Sequence, residues 1–208
     1  MPLNRKPDLR VIKTKKAIKT AFKEMICEMD ASQITVKDLA NRAMIHRKTF
    51  YLHYTSIEAL FEDITQELAD DYYCEIDKLP PDAPFTEVNR VFFTFMAHQE
   101  PYMQKAVCSE SYRGFIGRLF LSMEQHNRTK HNPYAQFSPD EQDIINNFLC
   151  IGSINLYRQW ILDEKRLPLD RLIELSGQLF THGVASVVDV NTDPVFNRPA
   201  ANDWHPSQ

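Results

Sequence analysis

The chain has 208 residues, enough for one or two domains and a substantial core, and its formal net charge of −4 conceals an uneven split. Residues 1–55 hold 12 Lys and Arg against 5 Asp and Glu, and the remainder holds 12 against 23, so a basic head is joined to an acidic body. No apolar run approaches the roughly eighteen residues that cross a bilayer, the N-terminus lacks a signal-peptide core, and only five glycines are available for phosphate-cradling loops, so a cytoplasmic, non-enzymatic protein is expected.

In chain order, Arg5 and Lys6 lie between two prolines and read as a basic arm. Asp8 suits the cap of a first helix to about Met29, with Ile18, Ala21, Phe22, Met25, Ile26 and Met29 on one stripe. Lys13, Lys15, Lys16, Lys19 and Lys23 cover the rest, and a positive face of this kind speeds encounter with a polyanion.

Residues 35–54, TVKDLANRAMIHRKTFYLHY, compress two short helices and a tight connection into the pattern of a helix-turn-helix. Thr35 suits an N-cap, and Asp38 stands where a capping-box partner reaches back. Val36, Leu39, Ala40 and Ala43 share one face, opposite Lys37, Asp38, Asn41 and Arg42. The second helix begins near His46 or Arg47 and runs to about Tyr54, turning Phe50 to the core and leaving Arg47, Lys48, Thr49, Tyr51 and His53 outside. Donor-rich side chains on a short helix suit the major groove, although the same pattern also describes an ordinary surface helix.

A fourth helix is expected from its cap, Ser56, to about Asp77, and the LPPDAP run 79–84 ends it. Helices then follow over Phe85 to Gln99, Pro101 to about Val107, Glu110 to His126, Pro139 to about Lys165 and Leu169 to about Val187. The stretch from Asn127 to Phe137 reads as a loop, SVVDV as the longest candidate strand, and residues 189–208 as a flexible tail. The expected fold class is all-α: an N-terminal three-helix helix-turn-helix domain over residues 1–55, then a larger helical domain over 56–188.

The run ITVKDLANRAMIHRKTFYLHYTSIEALF, Ile34 to Phe61, resembles the DNA-binding domain of the TetR family of transcriptional regulators. The likeness covers roughly the first sixty residues and rests on spacing, on the Thr49-Phe50-Tyr51 triplet and on the S-x-E-x-L-F entry to the fourth helix. Met44 stands where the family usually has glycine in the turn, and Ile57 where it often has a lysine that contacts phosphate. The resemblance implies a homodimeric regulator, repressor-like, that binds a near-palindromic double-stranded operator and is released by a small effector. Thr35, Lys48, Tyr51 and His53 are then the expected phosphate contacts and Arg47 and Thr49 the base readers. The alternative is a protein of the same fold that binds DNA weakly and acts through a protein partner.

The family's ligand site lies among the middle helices, where Phe92, Phe95, Met96, Tyr102, Phe115 and Met123 are candidate walls and Asn155 and Arg158 candidate polar contacts. Met103, Leu119, Phe148, Leu149 and Trp160, with His98, Gln99, Asn147 and Tyr157, complete that set, and each is equally a core residue. Arg158 either binds an anionic group or pairs with a carboxylate across a dimer. Gly152, Ser153, Ser176, Gly177, Gly183 and Ala185 suggest close helix approach in a dimer bundle. Cys27, Cys74, Cys108 and Cys150 have no metal spacing and read as mostly buried thiols, His98, His126 and His131 form no i, i+4 pair, and no cofactor or metal is expected.

Overall fold

The computed structural model describes residues 9–130, 132 and 134–183, and every regular element among them is helical. The N-terminal arm, Asp8, His131, Ala185, the SVVDV run and the tail fall outside the described residues.

Helix α1 (Leu9–Glu28) buries Ile18, Ala21, Phe22, Met25 and Ile26, the three-and-four spacing of a one-sided amphipathic helix. Helix α2 (Val36–Arg42) starts at Thr35, whose hydroxyl accepts the Asp38 N–H at 3.2 Å. The reciprocal half of the expected capping box differs: the Thr35 hydroxyl donates to the Asp38 carboxylate at 2.6 Å. An aspartate is one methylene shorter than the glutamate of the usual box and is engaged by the hydroxyl instead of the cap N–H.

After α2 the chain turns through Met44, whose φ of 54° lies in the left-handed region. The Met44 N–H donates to the Asn41 carbonyl at 3.1 Å and the Ile45 N–H to the Ala40 carbonyl at 3.0 Å, the two bonds of a Schellman motif. The turn therefore has the shape a glycine would give it, although Met44 bears a Cβ and is 91% exposed.

Helix α3 (Arg47–Tyr51) is shorter than expected. It stops because Tyr54 turns inward, with its ring 5.8 Å from that of Phe50 and its hydroxyl donating to Asp63 at 2.7 Å. Helix α4 (Ile57–Ile76), capped by Ser56 on the Ala59 N–H, buries Leu60, Phe61, Ile64, Leu68, Tyr72 and Ile76.

Helices α5 (Phe85–Ala97), α6 (Pro101–Cys108), α7 (Arg113–Lys130), α8 (Pro139–Leu162) and α9 (Leu169–His182) make the body. Two boundaries shift with physical cause. Helix α7 runs on to Lys130, into the segment expected as a loop, and Asn127 within it donates to the Tyr72 hydroxyl of α4. Helix α8 ends at Leu162 and not Lys165, because Glu164 and Lys165 take φ values of 55° and 56°. Their N–H groups donate to the Ile161 and Trp160 carbonyls, closing a second Schellman turn.

One apolar cluster extends from Ile18 and Phe50 in the head through Phe61 and Tyr72 of α4 to Tyr157 and Trp160 of α8, so the core is continuous across residue 55. No helix among the described residues is long and apolar enough to cross a membrane.

Candidate functional site

Two places in the fold present chemistry that its core does not consume: the outer surface of α3 and a cavity in the body. At the head, Phe50 anchors α3 from below, fully buried, while Arg47, Lys48 and Tyr51 are exposed and Thr49 and His53 half-buried. The Arg47 guanidinium donates to the Tyr51 hydroxyl at 3.2 Å and lies 5.6 Å from the Tyr51 ring centre. An i, i+4 pair of this kind limits the rotamers of Arg47, so less freedom is lost when it engages an acceptor. Thr35 is occupied as the cap of α2, with its hydroxyl hydrogen engaged by Asp38, but is exposed and keeps an acceptor lone pair.

Several head cations serve the body instead. Lys19 reaches Asp63 at 2.8 Å and Glu67 at 2.7 Å, Lys15 lies 3.7 Å from Asp63, and Lys23 bonds Glu100 at 2.6 Å. Arg42 is held to Glu28 at 2.6 Å, and that hydrogen bond lowers the Glu28 carboxyl below its ordinary range. Burial works against the Asp63 carboxylate, yet its bonds from Lys19 and Tyr54 prevail and hold its pKa low. The cluster therefore fixes α1 and the end of the α3 turn on α4.

In the body, α5, α7 and α8 enclose a cavity of about 90 Å³. Its walls are Phe85, Val88, Phe92, Phe120, Met123, Leu149 and Ile154, and its polar lining is Asn89, Glu124, Asn127, Arg128, Tyr134, Asn146 and Ser153, with the Cys150 thiol pushed up to about 11 by burial. An apolar enclosure with a few placed polar groups is the usual make-up of a small-molecule site.

Of the eight ligand-site candidates, the structure brings Phe92 and Met123 to this cavity and places the other six elsewhere. Met96 is fully buried and its carbonyl accepts from the Tyr157 hydroxyl, and Phe95 packs edge-on against Tyr72. Tyr102 lies beneath Lys23, whose ammonium is 4.7 Å from its ring centre, and Phe115 stacks near Phe61 at 4.6 Å. Asn155 is exposed on α8. The Arg158 guanidinium bonds Glu110 of the same chain at 3.1 Å.

The cavity residues missed in the sequence include its three asparagines, Asn89, Asn127 and Asn146. Asn89 shares a helical stripe with the buried Phe93 and Met96, a signal hidden by six apolar side chains on α5 that allow more than one phase. Of the small residues, Ser176 accepts from Asn89 within the chain, and a Cβ at Gly152 would meet the Phe180 ring at 2.6 Å, so Gly152 lets α8 and α9 approach closely. Cys27 and Cys74 are exposed, contrary to the expectation of buried thiols. Among the described residues, no cluster of three or more His, Cys, Asp or Glu side chains is placed to hold a metal ion.

No protein-family model matches the chain. It is 37% identical over 163 residues to the uncharacterized HTH-type transcriptional regulator YxbF of Bacillus subtilis strain 168, covering 71% of this chain and 39% of that protein. The chain thus spans about two fifths of the length of that curated relative. Among solved structures, it resembles the transcriptional regulator FadR of Bacillus subtilis in complex with stearoyl-CoA, with a TM-score of 0.64 at 15% identity over 81% of this chain and 98% of that one. It also resembles a TetR transcriptional regulator of Streptococcus agalactiae 2603V, with a TM-score of 0.62 at 22% identity over 81% and 94%. A third is NalD, the secondary repressor of the MexAB-OprM multidrug efflux pump in Pseudomonas aeruginosa, with a TM-score of 0.61 at 16% identity over 83% and 97%.

Proposed function

We propose that this chain, whose fold is that of the TetR-type transcriptional regulators, is itself a DNA-binding regulator that acts as a homodimer and loses operator affinity when a small effector occupies the body. The observation that carries the reading is the exposed Arg47–Lys48–Tyr51 surface on a helix locked by Phe50 and a Schellman turn. Lys48, Tyr51 and His53 supply donors for phosphates, Thr35 joins them when its hydroxyl turns from Asp38 to a phosphate oxygen, and Arg47 and Thr49 face base edges. Arg47 can pair bidentately with guanine.

The dimer follows from α8, which is apolar on two sides. One face packs Leu149, Tyr157 and Trp160 inward, while Ile144, Phe148, Ile151 and Leu162 form a second stripe, with Ile144 70% and Phe148 62% exposed. A helix apolar all round is covered on both sides, and a second copy is the partner a two-fold assembly supplies. Doubling the head spaces two recognition helices by about 34 to 36 Å, one DNA turn.

The effector reading rests on the cavity and on its link to the head. Asn127 lines the cavity and bonds Tyr72 on α4, and Asp63 on the same helix holds Lys19 and Tyr54. A ligand that prefers one tilt of α4 shifts the population of head spacings. The FadR relative is a complex with stearoyl-CoA. A cavity of about 90 Å³ does not enclose a long acyl chain, given that about 150 Å³ encloses a single benzene, so the effector here is compact.

The test is binding to duplex DNA over a range of salt with Arg47→Ala and Lys48→Ala. The first change costs about 1 to 3 kcal/mol and relaxes preference at one operator position, and the second weakens all sequences alike and lowers the salt slope by about one. Equal losses on every duplex from both changes contradict the assignment.

A further inference from the structure

The three orphaned polar atoms among the buried side chains described all belong to the same cavity: Asn89 Oδ1, Asn127 Oδ1 and Asn146 Nδ2. Buried polar atoms without partners are costly, and a group of them around one space marks a ligand whose atoms complete them.

The orientation of Asn89 is fixed by its neighbours. Its Nδ2 donates to Ser176 Oγ at 2.8 Å and approaches the Ile173 carbonyl at 3.4 Å, while the Ser176 hydroxyl donates to that same carbonyl at 3.0 Å. A flipped amide would set two carbonyl oxygens against each other, so Oδ1 is the atom left over, on a side chain only 2% exposed. Asn127 Nδ2 is likewise engaged by the Tyr72 hydroxyl, leaving its oxygen.

Charge points the same way. Glu124 lines the cavity half-buried with no cation at ion-pair distance among the described residues, because Arg128 one turn further along α7 is taken by Asp143 at 2.6 Å. Burial raises the Glu124 carboxyl above its ordinary range, Arg128 opposes that shift and Asp143 adds to it. The three groups sum to one uncompensated negative charge beside aromatic walls, where the faces of Phe92 and Phe120 also favour a cation.

We infer that the cavity takes a compact protonated amine with a short apolar body, its ammonium hydrogens answered by Asn89, Asn127 and Glu124. A single acceptor on the ligand would answer Asn146. The inference rests on the effector-site reading above and deepens it by naming the ligand class.

Calorimetric titration of the full chain at neutral pH with propylamine, 1-propanol and propionate separates charge from shape, since the three differ little in size. The amine is expected to bind at least about tenfold more tightly than the alcohol, as one charge-assisted hydrogen bond implies, with the carboxylate weakest. Glu124→Gln, nearly isosteric and half-exposed, should erase the preference for amine over alcohol while retaining the alcohol. Tightest binding of the carboxylate, no binding by any of the three, or an unchanged preference in Glu124→Gln each overturns the inference. Repeating the titrations on protein held on duplex DNA keeps the two readings apart. An amine that binds without altering DNA affinity supports this ligand class and sinks the effector reading, whereas release by the carboxylate does the reverse.

Discussion

Asn127 donates its amide to the Tyr72 hydroxyl across 2.8 Å, and this one bond joins a wall of the cavity to the helix that carries the head. Tyr72 is fully buried and its hydroxyl is pushed to a higher pKa chiefly by that burial, so it stays neutral and available as an acceptor. Tyr72→Phe removes the acceptor and leaves the Asn127 amide without one, which costs about 1 to 3 kcal/mol in urea denaturation. In a double-mutant cycle with Asn127→Ala, the pair should show a clear coupling energy. Purely additive losses would remove this contact as the route from cavity to α4.

Met44 sits at φ 54° in the turn between α2 and α3. The left-handed strain on a residue with a Cβ is about 1 to 2 kcal/mol, and the extra backbone freedom of glycine in the unfolded chain takes back about 0.4 to 1 kcal/mol of it. Met44→Gly is therefore expected to gain up to about 1.5 kcal/mol of stability, read as a higher denaturant midpoint, without altering the turn. A loss of stability would show that the exposed side chain has a contact beyond those of its backbone.

Glu124 has its folded-state pKa raised, first by burial. Between the ordinary carboxyl value near about 4.3 and the folded one, the unfolded chain releases this proton before the folded chain does. Stability attributable to Glu124 therefore falls as pH rises through that window and stays reduced above it. Glu124→Gln should be more stable than the parent at pH 7 and indistinguishable from it well below pH 4, as read from thermal melts at both pH values. A variant less stable at pH 7 would mean that the carboxylate has a partner in the folded protein.

The outward stripe of α8 gives a further expectation. Phe148→Glu puts a charge on the exposed apolar stripe of α8 and, on the proposed dimer, should shift sedimentation toward monomer while the helical content holds. Sedimentation unchanged by the substitution would move the dimer interface to another surface.

How far the sequence was legible depended on how one-sided each helix is. Helix α1 has a single stripe from Ile18 to Ile26, and its phase was readable directly. Thr35, Ser56 and Ser138 announced three helix starts, because a hydroxyl in those places accepts an N–H one turn on. Helices α5 and α8 were not readable in the same way. Phe92 and Phe95 read as inward, yet Phe93 is the fully buried one, and in α8 both faces are apolar, so periodicity alone did not show which residues met the cavity. Lys19 and Lys23 were counted with a cationic surface, yet their carboxylate partners Asp63, Glu67 and Glu100 are brought near only by folding. The same holds for Arg158, whose partner Glu110 is forty-eight positions away.

The central claim is that a doubled head presents Arg47 to His53 to a duplex. Selection of bound sequences from random double-stranded oligonucleotides by the purified protein at low salt tests it most directly. The account predicts enrichment of an inverted repeat whose half-sites lie one helical turn or a multiple of it apart, and its loss with Arg47→Ala. No enrichment, or a single asymmetric site indifferent to Arg47, would contradict it.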